Sequence, residues 1–388
     1  MGYRYAIIGA GRTGRAAAYD LFTHGEADEI RLFDLDPAAL EGAMAHLSRL
    51  GAGEVVRGAQ LDARDVAAVT AALGGVDAVL SASAYWLNLG LAQAAVAAGA
   101  HFNDLGGNTS IVQQELALHP RAVAAGVSVV PDCGLAPGLV NTLAAAGIEA
   151  METPREVRQR VGGLTQDPRG PLGYELVFSI TGLTNEYQGV GVVLRDGQIG
   201  EVPCLEELES IRFEGFPPLE AFVTSGGTST APYSFEGRVD RFDYKTIRYQ
   251  GHRDRIKLLQ DLGLLSLDPV EVGGAAVVPR RLLEAVVEPR IRFDDVRDLV
   301  LLRVSCAGTL LGGGEGEIRF EMVDRWDSAT GFSAMERSTA FPAAAVTHMQ
   351  ASGLVAPGAR PLEVAVPPRP LLVRLAARGL PLVESLVG

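Results

Sequence analysis

The stretch Tyr3-Arg4-Tyr5-Ala6-Ile7-Ile8-Gly9-Ala10-Gly11-Arg12-Thr13-Gly14 decides how the rest of this chain is read. An apolar run ends in G-x-G-x-x-G and opens a helix, and each glycine has its own task. Gly9 permits the tight turn, Gly11 removes a side chain that would block a pyrophosphate, and Gly14 lets the helix lie close to the strand. The helix N-terminus then faces the phosphates, so Gly9, Gly11, Arg12, Thr13 and Gly14 are expected to contact a dinucleotide. A second strand, Glu29-Ile30-Arg31-Leu32-Phe33-Asp34, places an acid about twenty residues further on, which completes the pattern.

An acid at Asp34 is placed to accept the adenine ribose hydroxyls and would repel a 2′-phosphate. The next residues, Leu35 and Asp36, supply no cation, so the expected cofactor is NAD. Asp36-Pro37 before Ala38-Ala39-Leu40-Glu41 reads as an N-cap followed by a proline at the first helical position.

A chain of 388 residues has room for two or three domains at roughly 150 residues each. With 47% hydrophobic and 21% charged residues it has the balance of a folded protein rather than a disordered one. A net charge of −13 argues against nucleic acid as a partner. The first strand begins at Tyr3, which leaves no room for a targeting peptide, and no apolar run reaches membrane-spanning length. The expectations are therefore a cytoplasmic protein, no membrane partner and a homo-oligomer, a dimer being the simplest. Cys133, Cys204 and Cys306 include no C-x-x-C pair and the histidines form no H-E-x-x-H, so no metal is expected. Only Lys245 and Lys257 are lysines, which restricts any chemistry that needs an amine base.

From Gly2 to about Asp132 strands and helices alternate at the spacing of a Rossmann-type, doubly wound parallel sheet. Six strands are expected, with helices near Pro37 to Leu50, Asp65 to Leu73, Leu87 to Ala98 and Ile111 to Ala125. Beyond about Glu156 the segments lengthen and alternate, as in Glu317-Ile318-Arg319-Phe320-Glu321-Met322-Val323, which reads as a second α+β domain with a mostly antiparallel sheet. The division expected is 1–134 for dinucleotide binding, 135–332 for substrate and oligomer contacts, 333–357 as a helix returning to the first domain, and 358–388 as a tail. A short amphipathic helix is expected over Leu371 to Gly388.

Ligands of a doubly wound sheet lie beyond the carboxyl ends of its strands. The third strand is followed by Asp62 and the fourth ends in Ser81-Ala82-Ser83-Ala84-Tyr85-Trp86, whose small residues let a nicotinamide ribose approach while Tyr85 lines a substrate pocket. The fifth ends in Asn103-Asp104-Leu105-Gly106-Gly107-Asn108, and the sixth in Asp132-Cys133-Gly134-Leu135-Ala136-Pro137-Gly138. Asp62, Ser81, Ala82, Asp132 and Cys133 are grouped with the cofactor, and Asp104, Asp132 and Tyr85 are the candidates nearest the chemistry. In the second domain Tyr244-Lys245-Thr246-Ile247-Arg248-Tyr249-Gln250-Gly251-His252 holds the densest polar chemistry. Alternation puts Lys245 opposite Thr246 and Arg248. Arg248 suits a bidentate grip on a carboxylate, whereas His252 reads as a turn residue.

These motifs resemble the saccharopine dehydrogenase and lysine 6-dehydrogenase superfamily over nearly the whole chain. Asp132 to Gly138 is similar to the family's acid-x-G-x-x-P-G turn, and Val161-Gly162-Gly163-Leu164 with Gly170-Pro171-Leu172-Gly173-Tyr174 to the start of its second domain. Thr246 to His252 resembles its T-x-R-[YW]-x-G segment, and Ser333-Ala334-Met335 with Phe341-Pro342 its returning helix. The resemblance implies an oxidoreductase acting on an amino-acid amine, with Thr246 and Arg248 holding the carboxylate, Gly106 and Gly107 beside the substrate, and Asp104 or Asp132 steering the amine. Saccharopine-forming members carry an aspartate where Ala136 stands and an arginine near Gly226-Gly227, which disfavours a substrate with three carboxylates here. The branch implied is lysine 6-dehydrogenase, oxidising the ε-amine of L-lysine with NAD to 2-aminoadipate 6-semialdehyde. A saccharopine reductase-like enzyme joining an amino acid to an aldehyde is the alternative, and a non-catalytic dinucleotide-binding protein a third. Tyr174 and Glu186 are secondary candidates that spacing alone does not select.

Overall fold

The computed structural model describes residues 2–177, 179–293 and 295–387. Met1, Phe178, Asp294 and Gly388 lie outside the described residues, and with them the outer ends of the expected segments 1–134 and 358–388.

The first unit contains β1 (Tyr3–Ile8), α1 (Arg12–His24), β2 (Ala27–Asp34), α2 (Pro37–Arg49), β3 (Val56–Gln60), α3 (Val66–Ala72), β4 (Ala78–Ser81), α4 (Asn88–Ala98), β5 (His101–Asp104), α5 (Thr109–Leu116), α6 (His119–Ala125) and β6 (Ser128–Val130). Its strands run parallel in the spatial order 3-2-1-4-5-6 of a dinucleotide-binding sheet. The local signals act as their chemistry dictates. Asp36 accepts from Ala38 N and caps α2, Asn108 accepts from Ile111 N and caps α5, and Gly99 ends α4 in the left-handed conformation. The helix expected over 111–125 divides at Ala117-Leu118, because Pro120 carries no N–H to continue the ladder and starts α6 instead.

The second unit opens with α7 (Leu139–Glu149) and β7 (Met151–Thr165). It continues through α8 (Ile180–Glu186), β8 (Val190–Arg195), β9 (Gln198–Pro203), β10 (Glu209–Ile211), β11 (Leu219–Val223), α9 (Ala231–Ser234), β12 (Arg241–Tyr249) and α10 (His252–Asp261). A small hairpin, β13 (Val270–Val272) and β14 (Ala275–Val277), precedes α11 (Pro279–Ile291), β15 (Asp298–Leu310) and β16 (Glu315–Arg325). The main sheet has the order 10-11-12-7-15-16, antiparallel except where β12 lies parallel to β7. The architecture is thus α/β, a parallel doubly wound sheet joined to a mostly antiparallel one.

Three further helices, α12 (Ala334–Ala351), α13 (Leu362–Ala365) and α14 (Pro368–Ala377), and two strands, β17 (Gly358–Ala359) and β18 (Leu382–Val387), tie the units together. Buried α12 returns to the first sheet and rests on α1, β4 and β5, with Asn103 donating to Ala343 O and to Thr347 Oγ1. β17 extends that sheet beyond β6, and β18 pairs antiparallel with β16 at the edge of the other. The end of the chain is therefore not one amphipathic helix. Gly379, at φ +70°, and Pro381 break it, and β18 follows.

Helix α14 is held by an ion pair between Arg378 and Asp20 of α1, whose side chains are 3% and 0% exposed. Burial raises the Asp20 carboxyl to about 7 although Arg378 opposes it. Removing one partner strands the other charge, so Arg378→Ala should cost about 3–5 kcal/mol in urea unfolding. Replacing both, Asp20→Leu with Arg378→Met, should recover most of that loss. A single variant as stable as the wild type would contradict this role.

Candidate functional site

Two cavities flank the turn Gly9 to Gly14. The first, of about 270 Å³, is lined by Gly9, Asp34, Leu61, Asp62, Arg64 and Trp86 among others. No side chain caps α1 and its first turn holds no acid, so its free amides face outward. A Cβ on Gly11 would meet nothing within 4 Å, whereas one on Gly14 would lie 1.8 Å from Gly9 O. The turn is thus open on the ligand side and closed on the strand side, which fits a pyrophosphate on the amides. Arg12, 54% exposed at its side chain, bonds Glu336 Oε1 at 3.2 Å and Val177 O at 3.4 Å, touching the second unit.

Asp34 lines this first cavity and also braces its loops. Its Oδ2 accepts from Ala10 N at 2.7 Å and its Oδ1 from Asp36 N at 2.9 Å, so the carboxylate holds two loops in place. Asp62 pairs with Arg64 at 2.7 Å, and hydrogen bonds from Arg64 lower the Asp62 carboxyl to about 2. Sequence reading missed Arg64, a cation brought to this cavity by the loop after β3. Ser81 is buried, bonded to Ser83 Oγ and Asn88 Oδ1, and Ala82 packs beside Gly9 and Gly14. Cys133 is fully buried with its thiol on Val130 O, inside the core rather than on a cavity wall.

The second cavity, of about 250 Å³, lies between the units. Thr13, Leu105 and Ala136-Pro137 contribute from the first, Met335 and Thr339 from α12, and Val161, Glu186, Tyr244, Thr246 and Arg248 from the second. Thr246 shares a hydrogen bond with Thr224 at 2.6 Å. Burial raises the Tyr244 hydroxyl, so it remains a proton-bearing donor. Arg248, 2% exposed, bonds Glu186 Oε2 at 3.0 Å and Tyr187 Oη at 3.2 Å. Lys245 points to the other face and pairs with Glu209, as the alternation of β12 requires. Glu186 was weakly signalled, because only the fold brings α8 against β12, and Tyr244 was not singled out from its segment.

Asp104 and Asp132 meet behind this cavity and do not line it. Both are buried, and Asp104 Oδ1 accepts from Gly106 N at 2.6 Å and from Asp132 N at 3.1 Å. Asp104 thereby fastens both loops that form the wall. A Cβ on Gly106 would lie 2.0 Å from Asp132 Oδ1, which shows how tightly that loop is drawn in, and Gly107 covers Tyr85. Tyr85 stands edge-on to Trp86 at 5.2 Å rather than in the second cavity. A third acid, Glu115 of α5, joins them unannounced by its sequence context. Among the described residues Asp104 Oδ2 and both oxygens of Glu115 and Asp132 have no partner that donates to them. Burial, reinforced by neighbouring acids, raises Asp132 to about 8 and holds Glu115 well above its ordinary range. Burial also raises Asp104. Raised in this way, these carboxyls favour the protonated form, which can donate where the ionised form cannot.

A dinucleotide fold with a cleft between two units defines the class, and comparison with known proteins gives the family. Residues 5–130 match the profile described as the saccharopine dehydrogenase NADP binding domain, and residues 134–380 the saccharopine dehydrogenase C-terminal domain. The chain belongs to the saccharopine dehydrogenase family. Saccharopine dehydrogenase [NADP(+), L-glutamate-forming] of Pyricularia oryzae is 27% identical over 216 residues, 53% of this chain and 47% of that protein. Its namesake in Saccharomyces cerevisiae is 24% identical over 221 residues, 55% and 49% of the two chains. The chain thus spans about half the length of the curated relatives it matches. The apo structure of the S. cerevisiae saccharopine dehydrogenase (L-Glu forming) shares the fold over 100% of both chains, with a TM-score of 0.80 and 20% identity.

These findings overturn two expectations. The cofactor is not read as NAD, because the matching domain and the named relatives are described with NADP. The lysine 6-dehydrogenase reading gives way to a saccharopine dehydrogenase-like one, in line with the names of these relatives. Among the described residues no helix is long and apolar enough to cross a membrane.

The buried acids make a stability prediction. A carboxyl that keeps its proton when folded but loses it when unfolded costs stability as pH rises above its unfolded value of about 4. Glu115→Gln removes that cost, so its thermal midpoint should match the wild type near pH 4 and exceed it at pH 8. An advantage that does not grow with pH would contradict protonation of Glu115.

Proposed function

We propose that this protein is an NADP-dependent oxidoreductase that joins an amino acid to an aldehyde by reducing the imine between them, or runs that reaction in reverse. Family membership supports the reaction class. The observation that carries the reading is a single buried guanidinium, Arg248, on the wall of a cavity that Thr13 of the dinucleotide turn also lines.

The amine adds to the aldehyde carbonyl and water leaves, giving an imine. NADPH held by the Gly9 to Gly14 turn and Arg64 would supply the hydride that the imine carbon takes up, and a proton on nitrogen completes the secondary amine. Arg248 holds a carboxylate of one partner and fixes the reacting carbon relative to Thr13. Tyr244 is the hydroxyl donor available to the carbinolamine or imine nitrogen, with Thr246 beside it on the same face of β12. Leu105, Leu135, Val161 and Met335 supply apolar lining that favours loss of water. Arg248 is the one cation among the described lining residues, and Ala136 and Gly226-Gly227 add no second grip. The partner entering this cavity accordingly carries fewer carboxylates than saccharopine. Arg64, released from Asp62, is the cation for the 2′-phosphate of NADP in the first cavity.

Loss of NADPH absorbance across a panel of amino acids and aldehydes tests the reaction. Consumption should require both partners, and no consumption with any pair would sink the proposal. Arg248→Lys should raise the KM of the carboxylate partner at least about tenfold with a smaller effect on kcat. An unaltered KM would remove Arg248 from the substrate. For the cofactor, Arg64→Ala should weaken NADP+ binding about tenfold by fluorescence titration while leaving NAD+ binding nearly unchanged. Equal losses for both would assign Arg64 a structural role.

A further inference from the structure

Two glycines stand side by side in β7, Gly162 and Gly163, and the second lines the cavity between the units. Neither has a positive φ, and Gly163 pairs with Val300 of β15 as any strand residue would. The backbone therefore does not call for glycine here, and the reason is space. A Cβ on Gly162 would lie 2.6 Å from Ile247 O, so this glycine admits the backbone of β12. A Cβ on Gly163 would instead lie 2.3 Å from Met335 Cε, the free end of a flexible side chain. Gly163 is thus a notch that houses one methyl group.

Met335 is fixed at one end and free to turn at the other. Its backbone N donates to Asp298 Oδ2 at 2.8 Å, inside the capping box that Ser333 and Glu336 close at the start of α12. Its side chain is unbranched and ends in a thioether, which adapts to irregular space by changing rotamer. The Sδ lies 3.6 Å from the Thr339 hydroxyl, one turn further along α12, a weak acceptance that rotation breaks at little cost. Met335 packs against two buried clusters, and the open space beside it is the cavity of about 250 Å³, which Gly163, Met335 and Thr339 all line. A methyl displaced from Gly163 has that space to enter.

We propose that Met335 is an adjustable wall that limits the length of the apolar group a substrate brings into this cavity, and that Gly163 sets the limit by housing its methyl. With the methyl on Gly163 the cavity keeps its full size, and with the methyl turned inward the side chain fills part of the same volume. Leu105, Leu135 and Val161 make the neighbouring wall apolar, so the group measured is a hydrocarbon chain. A substrate too long for the cavity cannot push Met335 further back, because the clusters behind it are closely packed. The inference rests on the reading of this cavity as the substrate site and adds to it a residue that selects among substrates.

Straight-chain carboxylates from butanoate to decanoate are the probes, anchored at Arg248 and differing only in length. Calorimetry on NADP+-loaded enzyme should show affinity rising with each carbon up to a limit and falling at least about tenfold beyond it. Met335→Ala should move the limit to longer chains and Gly163→Ala to shorter ones. In the Met335→Ala background Gly163→Ala should change nothing, because the atom it displaces is gone. The chain has six methionines, and with methyl-13C labelling the Met335 signal, assigned by its loss in Met335→Ala, should shift when the longest bound carboxylate is added. That signal and Met335→Ala carry the test if Gly163→Ala does not fold. A limit that Met335→Ala leaves in place, or a Gly163→Ala effect of equal size with and without Met335, overturns the wall. If Arg248→Lys still weakens carboxylate binding in that case, the substrate site stands without it. If no carboxylate binds, the site and the wall both fall.

Discussion

One carboxylate, Glu336, fixes where the two halves of this molecule meet. It accepts from Ser333 N at 2.7 Å and closes the capping box of α12, and its other oxygen takes Arg15 at 2.8 Å and Arg12 at 3.2 Å from the dinucleotide helix. Asp298 of β15 adds two acceptances, from Ala334 N and Met335 N, both at 2.8 Å. The N-termini of α1 and α12 and the second sheet are therefore joined at one point. Each partner depends on that point: α1 opens with uncapped amides at the glycine turn, α12 supplies Met335 and Thr339 to the cavity wall, and β15 stands beside β7, which carries Val161.

From this junction the chemistry divides by depth. Exposed charges, Arg64 with Asp62 and Arg12, sit where side chains rearrange at little cost. Buried groups, Arg248 with Tyr187 and His252, are locked, as a fixed electrostatic grip requires. Deeper still, Asp104, Glu115 and Asp132 hold the loops of the wall from behind and do not face the cavity. The acids at the ends of β5 and β6 thus stand as supports for the wall, while the charges that face a substrate come from α8 and β12.

What the sequence made legible was local. The glycine pattern, the cap at Asp36, the succession of the first six strands along the chain and the side of β12 on which Arg248 stands all follow from short-range rules. The buried acids at Asp104 and Asp132 were visible, but Glu115 was not, because nothing in its own helix marks it as facing them. Glu186 and Arg248 are likewise separated in sequence and meet only because α8 packs on the sheet. The cofactor reading failed for a related reason. Asp34 was weighed only against its immediate neighbours Leu35 and Asp36, whereas a cation, Arg64, reaches the same cavity from a different loop. The end of the chain was misread because its apolar residues satisfy a helix pattern and a strand pattern equally, and Gly379 and Pro381 decide between them.

The central claim is that one cavity between the units holds substrate against the cofactor. A structure of the protein with NADP+ and an amino-acid-derived secondary amine tests it most directly. The account predicts the nicotinamide beside Thr13 and Leu105, the 2′-phosphate at Arg64, and a substrate carboxylate on Arg248. A nicotinamide bound elsewhere, or a substrate whose carboxylates do not reach Arg248, would contradict it.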